Sequence, residues 1–146
     1  MVGDFVELRV AGYQYDKSTF STANGWDENW LTISGHVRQA AESWRFQNPC
    51  LTSWEARDLL SWLRSAVDST PGPIEFTEPN LSFAVAADTG RPRMVIVTFT
   101  GEAARPSISE VNRGSSGCAL SLDISPASLL DAAQTGESEL TARPLR

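Results

Sequence analysis

Two pairs of nearby carboxylates are the residues whose types and spacing best suit chemistry in this sequence. Asp27 lies directly before Glu28, and Glu75 lies three residues before Glu78. Paired carboxylates can serve as general acid and base, but both pairs fall in predicted loops or at strand ends, where such groups are usually solvated. We therefore interpret them as solvated surface groups or as parts of a partner-binding patch.

Aromatic residues surround the first of these pairs. Trp26 and Trp30 bracket the segment that contains Asp27 and Glu28, so aromatic and acidic groups occur together where a loop enters a strand. This combination is typical of a surface that meets a basic protein, although simple packing is the alternative interpretation. The other three tryptophans are predicted to lie in the core, where large aromatic side chains usually pack: Trp44, Trp54 and Trp62.

Nucleophilic and metal-based catalysis have little support. His36 is the single histidine, and the sequence has no Gly-x-Ser-x-Gly motif. Cys50 and Cys118 are too few for a disulfide framework or, with one histidine, for a zinc site, so both are predicted to be small buried residues. We expect no catalytic residue, no metal and no cofactor. An enzyme that uses His36 beside a carboxylate or hydroxyl in a cleft has less support than a domain that binds another protein, a scaffold or a small ligand.

Composition predicts one acidic domain over residues 1–146. The net charge is −6 and 41% of the residues are hydrophobic. Since the sequence contains no basic cluster, we expect no nucleic-acid partner. No apolar run is long enough for a membrane span, and the N-terminus lacks the features of a secretory signal, so we expect a cytoplasmic protein without membrane contact. The oligomeric state is not predicted.

One helix is expected to organise the fold. Thr52, followed three residues later by Glu55, forms a capping-box pattern, and Pro49 biases the preceding chain towards an extended conformation. Two prolines after residue 70 end the pattern. The sequence therefore predicts a helix over 53–68, whose apolar face repeats at helical spacing: Ala56, Leu59, Leu60, Leu63 and Val67.

Alternating apolar residues predict strands on both sides of this helix. We expect an α+β fold with a mostly antiparallel, meander-like sheet of six or seven strands and a short C-terminal helix over 126–134. Gly35, inside a predicted strand, indicates a bulge or a close approach of another group. The segment 93–100 is apolar on both faces and predicts a central strand. A mobile loop is predicted at 101–117 and a frayed tail at 136–146.

Two four-residue signatures flank the helix, Pro49-Cys50-Leu51-Thr52 and Glu78-Pro79-Asn80-Leu81. Together with the segments 12–15 and 29–37, which read GYQY and NWLTISGHV, this series resembles the WapI-type bacterial immunity proteins. We interpret five residues in and near the signatures as architectural, because they would set the position of the helix on the sheet: Pro49, Thr52, Glu55, Pro79 and Asn80.

The resemblance implies a non-catalytic protein, encoded beside a polymorphic toxin, that binds and blocks the toxin's C-terminal domain. For this type the toxin is a tRNA-cleaving nuclease, so the partner would be a cognate basic toxin domain. The candidate partner-binding residues are Trp26, Asp27, Glu28, Trp30, Glu75 and Glu78. The alternative is a small-ligand or scaffold-binding domain, which would contain a deep apolar pocket.

Overall fold

The part of the chain that the computed structural model describes, residues 4–13, 30–86, 93–104 and 117–142, contains seven strands and two α-helices. No helix within these ranges is long and apolar enough to cross a membrane. In chain order the elements are β1 (Phe5–Tyr13), β2 (Trp30–Gln39), β3 (Glu42–Thr52), α1 (Ser53–Ser65), β4 (Ile74–Glu75), β5 (Leu81–Val85), β6 (Arg93–Phe99), β7 (Cys118–Ile124) and α2 (Pro126–Thr141).

The strands form two antiparallel sheets with the orders β1-β2-β3 and β4-β5-β6-β7. The predicted α+β class and the antiparallel meander are confirmed, but the strands are split between two sheets instead of forming one. The division falls at α1, because this helix separates the last strand of the first sheet from the first strand of the second. Strand β6 lies inside its sheet, as its apolar residues on both faces predict.

A bulge interrupts the pairing of β3 with β2. Leu31 is opposite Leu51, whereas Ile33 is opposite Asn48, so β3 contains one more residue than β2 over this stretch. Pro49 lies in the bulge, where no ladder hydrogen bond requires the N–H that proline lacks. The chain therefore reaches α1 extended, but with a local change in twist just before the helix.

Gly35 allows an aromatic ring to lie on the backbone of β2. Phe46 is its cross-strand partner, and a Cβ atom built on Gly35 would lie 2.2 Å from Phe46 Cζ. Any side chain here would displace the ring. The predicted close approach at this glycine is therefore confirmed.

Phe99 stands at the centre of the core between the two sheets. It is fully buried, and the rings of Trp44 and Phe46 contact it edge to face at centroid distances of 5.8 and 6.0 Å. On the helix side, Trp62 packs against Phe83 of β5 at 6.0 Å. These aromatic contacts join the first sheet, the second sheet and α1 into one hydrophobic core.

Helix α1 begins with the predicted capping box. Thr52 Oγ1 accepts the N–H of Glu55 at 3.2 Å, and Glu55 Oε1 accepts the N–H of Thr52 at 3.0 Å. The helix ends at Ser65, three residues before the predicted end. Its buried face includes Ala56, Leu59, Leu60 and Trp62.

Helix α2 is longer than predicted. Ser125 is its N-cap and accepts the N–H of Ser128 at 3.1 Å, but the helix continues to Thr141. The predicted end at 134 and the predicted frayed tail are therefore wrong for residues 136–141, while 143–146 lie outside the described residues. Gly136 weakens the helical pattern in the sequence, yet it lies against α1: a Cβ atom there would be 2.5 Å from Leu60 Cδ2. Close helix packing outweighs the low helix propensity of glycine.

The predicted loop at 101–117 begins with ordered structure. Gly101–Ala103 forms a 3-10 helix, Ala103 is fully buried, and its carbonyl accepts the indole N–H of Trp44 at 3.0 Å. The loop prediction is therefore wrong for residues 101–104. Residues 105–116 lie outside the described part of the chain.

Candidate partner-binding surface

Glu55 connects the start of α1 to the turn that carries the second signature. One carboxylate oxygen accepts the N–H of Thr52 at 3.0 Å, and the other accepts the N–H of Thr77 at 2.7 Å. Thr77 directly precedes Glu78. The two signatures, which are separated in sequence by the whole helix, therefore meet at its N-terminus.

The same turn is also tied to the end of β6. The Thr100 N–H donates to the Asn80 carbonyl at 2.9 Å, and the Asn80 side-chain amide donates to the Thr100 carbonyl at 3.4 Å. The Thr100 hydroxyl donates to the Pro79 carbonyl. Because the 3-10 helix starts at the next residue, these bonds fix the turn and the 3-10 helix relative to each other.

Three exposed carboxylates occur at this junction or within a few residues of it, on β4, in the turn and on the 3-10 helix, and we call Glu75, Glu78 and Glu102 the acidic edge. Oriented to satisfy its neighbours, the Asn48 amide nitrogen donates to Glu102 Oε2 at 2.7 Å. Both Glu78 and Glu102 act electrostatically on the Cys50 thiol. The bulge of β3, the turn and the 3-10 helix thus bring together acidic groups that are far apart in sequence.

Burial and negative charge together suppress ionisation of the thiol beneath this surface. Cys50 is fully buried, and its pKa is raised from 9.0 to about 12, first by burial and then by the charges of Glu78 and Glu102. The thiol is therefore an unreactive part of the packing near neutral pH. Its role follows from its small size and not from nucleophilicity.

Cys50 should resist alkylation by iodoacetamide at about pH 8 while the protein is folded, because only the thiolate reacts. Above about pH 9 an unfolded chain ionises this thiol, whereas the folded protein does not until about pH 12, so stability should fall as pH rises through this window. Mass spectrometry of digests labelled with and without denaturant measures the reactivity. Equal labelling of folded and unfolded protein at Cys50 would contradict the prediction; Cys118, which is only partly buried, is the internal comparison.

Trp54 lies on the surface in the first turn of α1. Its exposed fraction is 38%, so the prediction that it belongs to the core is wrong, whereas Trp44 and Trp62 are buried as predicted. Helical spacing indicates this exposure. Trp54 shares a helix face with Arg57, three residues later, and Asp58, four residues later, and both are exposed. The next residue, Glu55, binds the turn that carries Glu78, so an exposed indole and acidic groups occur in the same part of the surface, a composition typical of a protein-binding hot spot.

The predicted partner-binding residues fall into two groups. Trp30 is partly buried and lies opposite Thr52, at the same end of the first sheet as the acidic edge, and Glu75 and Glu78 belong to that edge. Sequence analysis missed Trp54 and Glu102; the latter has no local signal, since its position depends on long-range contacts. The remaining candidates lie outside the described residues: Trp26, Asp27 and Glu28.

The described residues around His36 do not form a catalytic cleft. Its ring contacts Phe5 edge to face at 4.9 Å, and its cross-strand neighbours are Glu7 and Arg45. The described residues around it make a sheet surface, which does not enclose a substrate. Within the described ranges, no three His, Cys, Asp or Glu side chains are grouped as metal ligands.

An open depression runs along α2, but its lining does not suit an apolar ligand. Its walls consist of polar and acidic side chains, and it is open to solvent. A small-molecule site normally encloses its ligand among apolar groups. The lining residues are Gln134, Thr135, Glu137, Ser138 and Thr141.

Comparison with known proteins gives one match that covers nearly the whole chain. The model of the family described as "Immunity protein WapI-like family" matches residues 2–144. The match includes both signatures, the acidic edge and both α-helices. No curated protein and no solved structure matches the chain significantly.

Proposed function

This chain belongs to the WapI-like immunity protein family, and from that premise we propose that it binds the C-terminal toxin domain of a polymorphic toxin and blocks its activity. The toxin would be a tRNA-cleaving nuclease encoded next to the immunity protein. The proposed mode of action is stoichiometric binding without catalysis, in the cytoplasm of the producing cell.

One observation carries the choice of surface: exposed carboxylates and an exposed indole converge at the N-terminus of α1. The acidic edge supplies negative charge, and Trp54, in the first turn of α1, supplies an exposed aromatic side chain. A charged rim accelerates encounter with an oppositely charged protein, while a central aromatic residue contributes most of the binding energy. We propose that this surface, together with Trp30, contacts the toxin.

A nuclease that cleaves tRNA must attract phosphates with a basic cleft. Carboxylates held at fixed positions can occupy such a cleft in place of phosphates, and so exclude the substrate. Glu55 supports this role indirectly, since its two hydrogen bonds hold the Glu78 turn against α1. The segment containing Trp26, Asp27 and Glu28 immediately precedes Trp30, and we propose that it extends the same contact.

Co-purification with the neighbouring toxin domain tests the proposal. Tagged immunity protein and the C-terminal domain of the toxin encoded immediately upstream should form a complex at micromolar concentration or below. Addition of the immunity protein at equal molar amount should stop tRNA cleavage by the toxin domain.

Two controls test whether binding requires the folded protein and the cognate partner. Immunity protein unfolded by heat should neither bind nor inhibit, and a homologous toxin domain from an unrelated locus should bind more weakly. If folded protein forms no complex with its neighbouring toxin domain at micromolar concentration, the proposed function is wrong.

A further inference from the structure

The outer face of the first sheet carries positive charge that the linear sequence does not reveal. His36 and Arg38 of β2 point to this face, because Val37 between them is fully buried on the other side. The register places Arg45 of β3 opposite His36, and Ser43 opposite Arg38. We call His36, Arg38 and Arg45 the arginine face.

The two arginines are close enough to act on one ligand segment. They occupy diagonal positions on neighbouring strands. Residues at such positions lie roughly 7–8 Å apart. Arg45 is exposed and Arg38 is partly buried. Two long side chains at this separation can donate to one anionic group or to two adjacent ones.

The side chain of Arg38 is partly enclosed by its neighbours. Its Nε is buried and has no hydrogen-bond partner among the described residues. Phe5 is its cross-strand neighbour, and the Phe5 ring packs edge to face on His36. A guanidinium with its stem enclosed loses little side-chain freedom on binding, and a buried N–H without an acceptor is unfavourable in the free protein.

Arg38 and Arg45 form no ion pair with another described residue. The ion pairs formed by described residues join Arg9 to Glu139 and Arg64 to Glu137, each at 2.5 Å. Neither involves Arg38 or Arg45. Glu7, opposite His36, is the acidic residue that the strand register places beside Arg38 and Arg45 on this face of the described sheet.

We propose that the arginine face binds an acidic segment of a protein partner, with Arg38 and Arg45 each donating to a carboxylate. A planar carboxylate matches the two parallel N–H donors of a guanidinium. A nucleic-acid strand fits less well, because two arginines and one histidine do not make the extended basic surface that a run of phosphates requires. This contact goes beyond the proposed function, since its charge is opposite to that of the acidic edge and it does not depend on toxin binding.

Titration of ¹⁵N-labelled full-length protein with a short oligoglutamate peptide at low ionic strength tests the proposal by NMR. Amide signals of β2 and β3 around Arg38 and Arg45 should shift and saturate. Arg38→Gln and Arg45→Gln should each weaken the affinity about tenfold, as expected for the loss of a charge-assisted hydrogen bond. Arg57→Gln, which removes the same charge from the exposed side of α1, should leave the affinity unchanged.

Other outcomes would overturn the proposal. Equal affinities for all three variants would show that the peptide senses only net charge, and shifts confined to another surface would move the site elsewhere. Tighter binding of a short RNA oligonucleotide to the same amides would replace the protein partner with a nucleic acid. Arg45 is exposed, so Arg45→Gln keeps the test valid even if Arg38→Gln fails to fold.

Discussion

Replacement of Phe99 by alanine should lower the free energy of unfolding by about 3–5 kcal/mol, the largest stability effect we expect from a single substitution. Phe99 is fully buried and receives the edges of Trp44 and Phe46, which belong to the opposite sheet. Its loss leaves a cavity between the sheets that neither neighbour can fill without leaving its own position. The joint between the two sheets would therefore weaken.

Urea unfolding followed by tryptophan fluorescence measures this change, because Trp44 lies at the affected contact. Leu130→Ala is the matched control: Leu130 is 47% exposed on α2, and its truncation should change stability by no more than about 0.5 kcal/mol. A loss below about 1 kcal/mol for Phe99→Ala would mean that Phe99 does not join the sheets as described.

Reversal of two charges on the acidic edge should have the largest effect on toxin binding. Glu78→Lys combined with Glu102→Lys is expected to slow association about 10- to 100-fold at low ionic strength, because electrostatic attraction would become repulsion. Raising the salt concentration should slow the wild-type protein but not the variant. Stopped-flow association kinetics over a range of salt concentrations measures both effects.

The matched control reverses two exposed carboxylates elsewhere, Asp123→Lys with Asp131→Lys. Cys118 begins β7 opposite Phe99, at the end of the sheet near the acidic edge. Asp123 lies five residues further along β7, which places it roughly 17 Å from that end. Both double variants change the net charge equally, so equal slowing would show that net charge, and not this edge, governs association. Thermal unfolding of each variant checks that the fold is intact.

Local patterns predicted the elements that local physics determines. The spacing of Thr52 and Glu55 and the apolar repeat behind them identified α1, because capping and amphipathicity depend on residues within a few positions of one another. Ser125 identified the start of α2 for the same reason. Its end was missed because Gly136 is explained by contact with Leu60, which lies 76 positions earlier in the sequence.

The candidate surfaces depend on long-range register, and for that reason the sequence predicted them only in part. Glu102 reaches the acidic edge because the 3-10 helix packs on β3, and no local pattern contains this contact. The arginine face arises because β2 and β3 pair with Arg45 opposite His36. A search for basic residues that are neighbours in sequence does not find such a cluster.

The edges of the first sheet also limit how this protein can meet others. At the β1 edge, the Glu139 carboxylate accepts the Val10 N–H at 3.0 Å, so that donor is no longer free for an incoming strand. At the β3 edge, Pro49 has no N–H to offer. Both edge strands therefore lack a free N–H donor at one position where a strand of another molecule could pair. This opposes edge-to-edge association into fibres and favours recognition through side-chain surfaces.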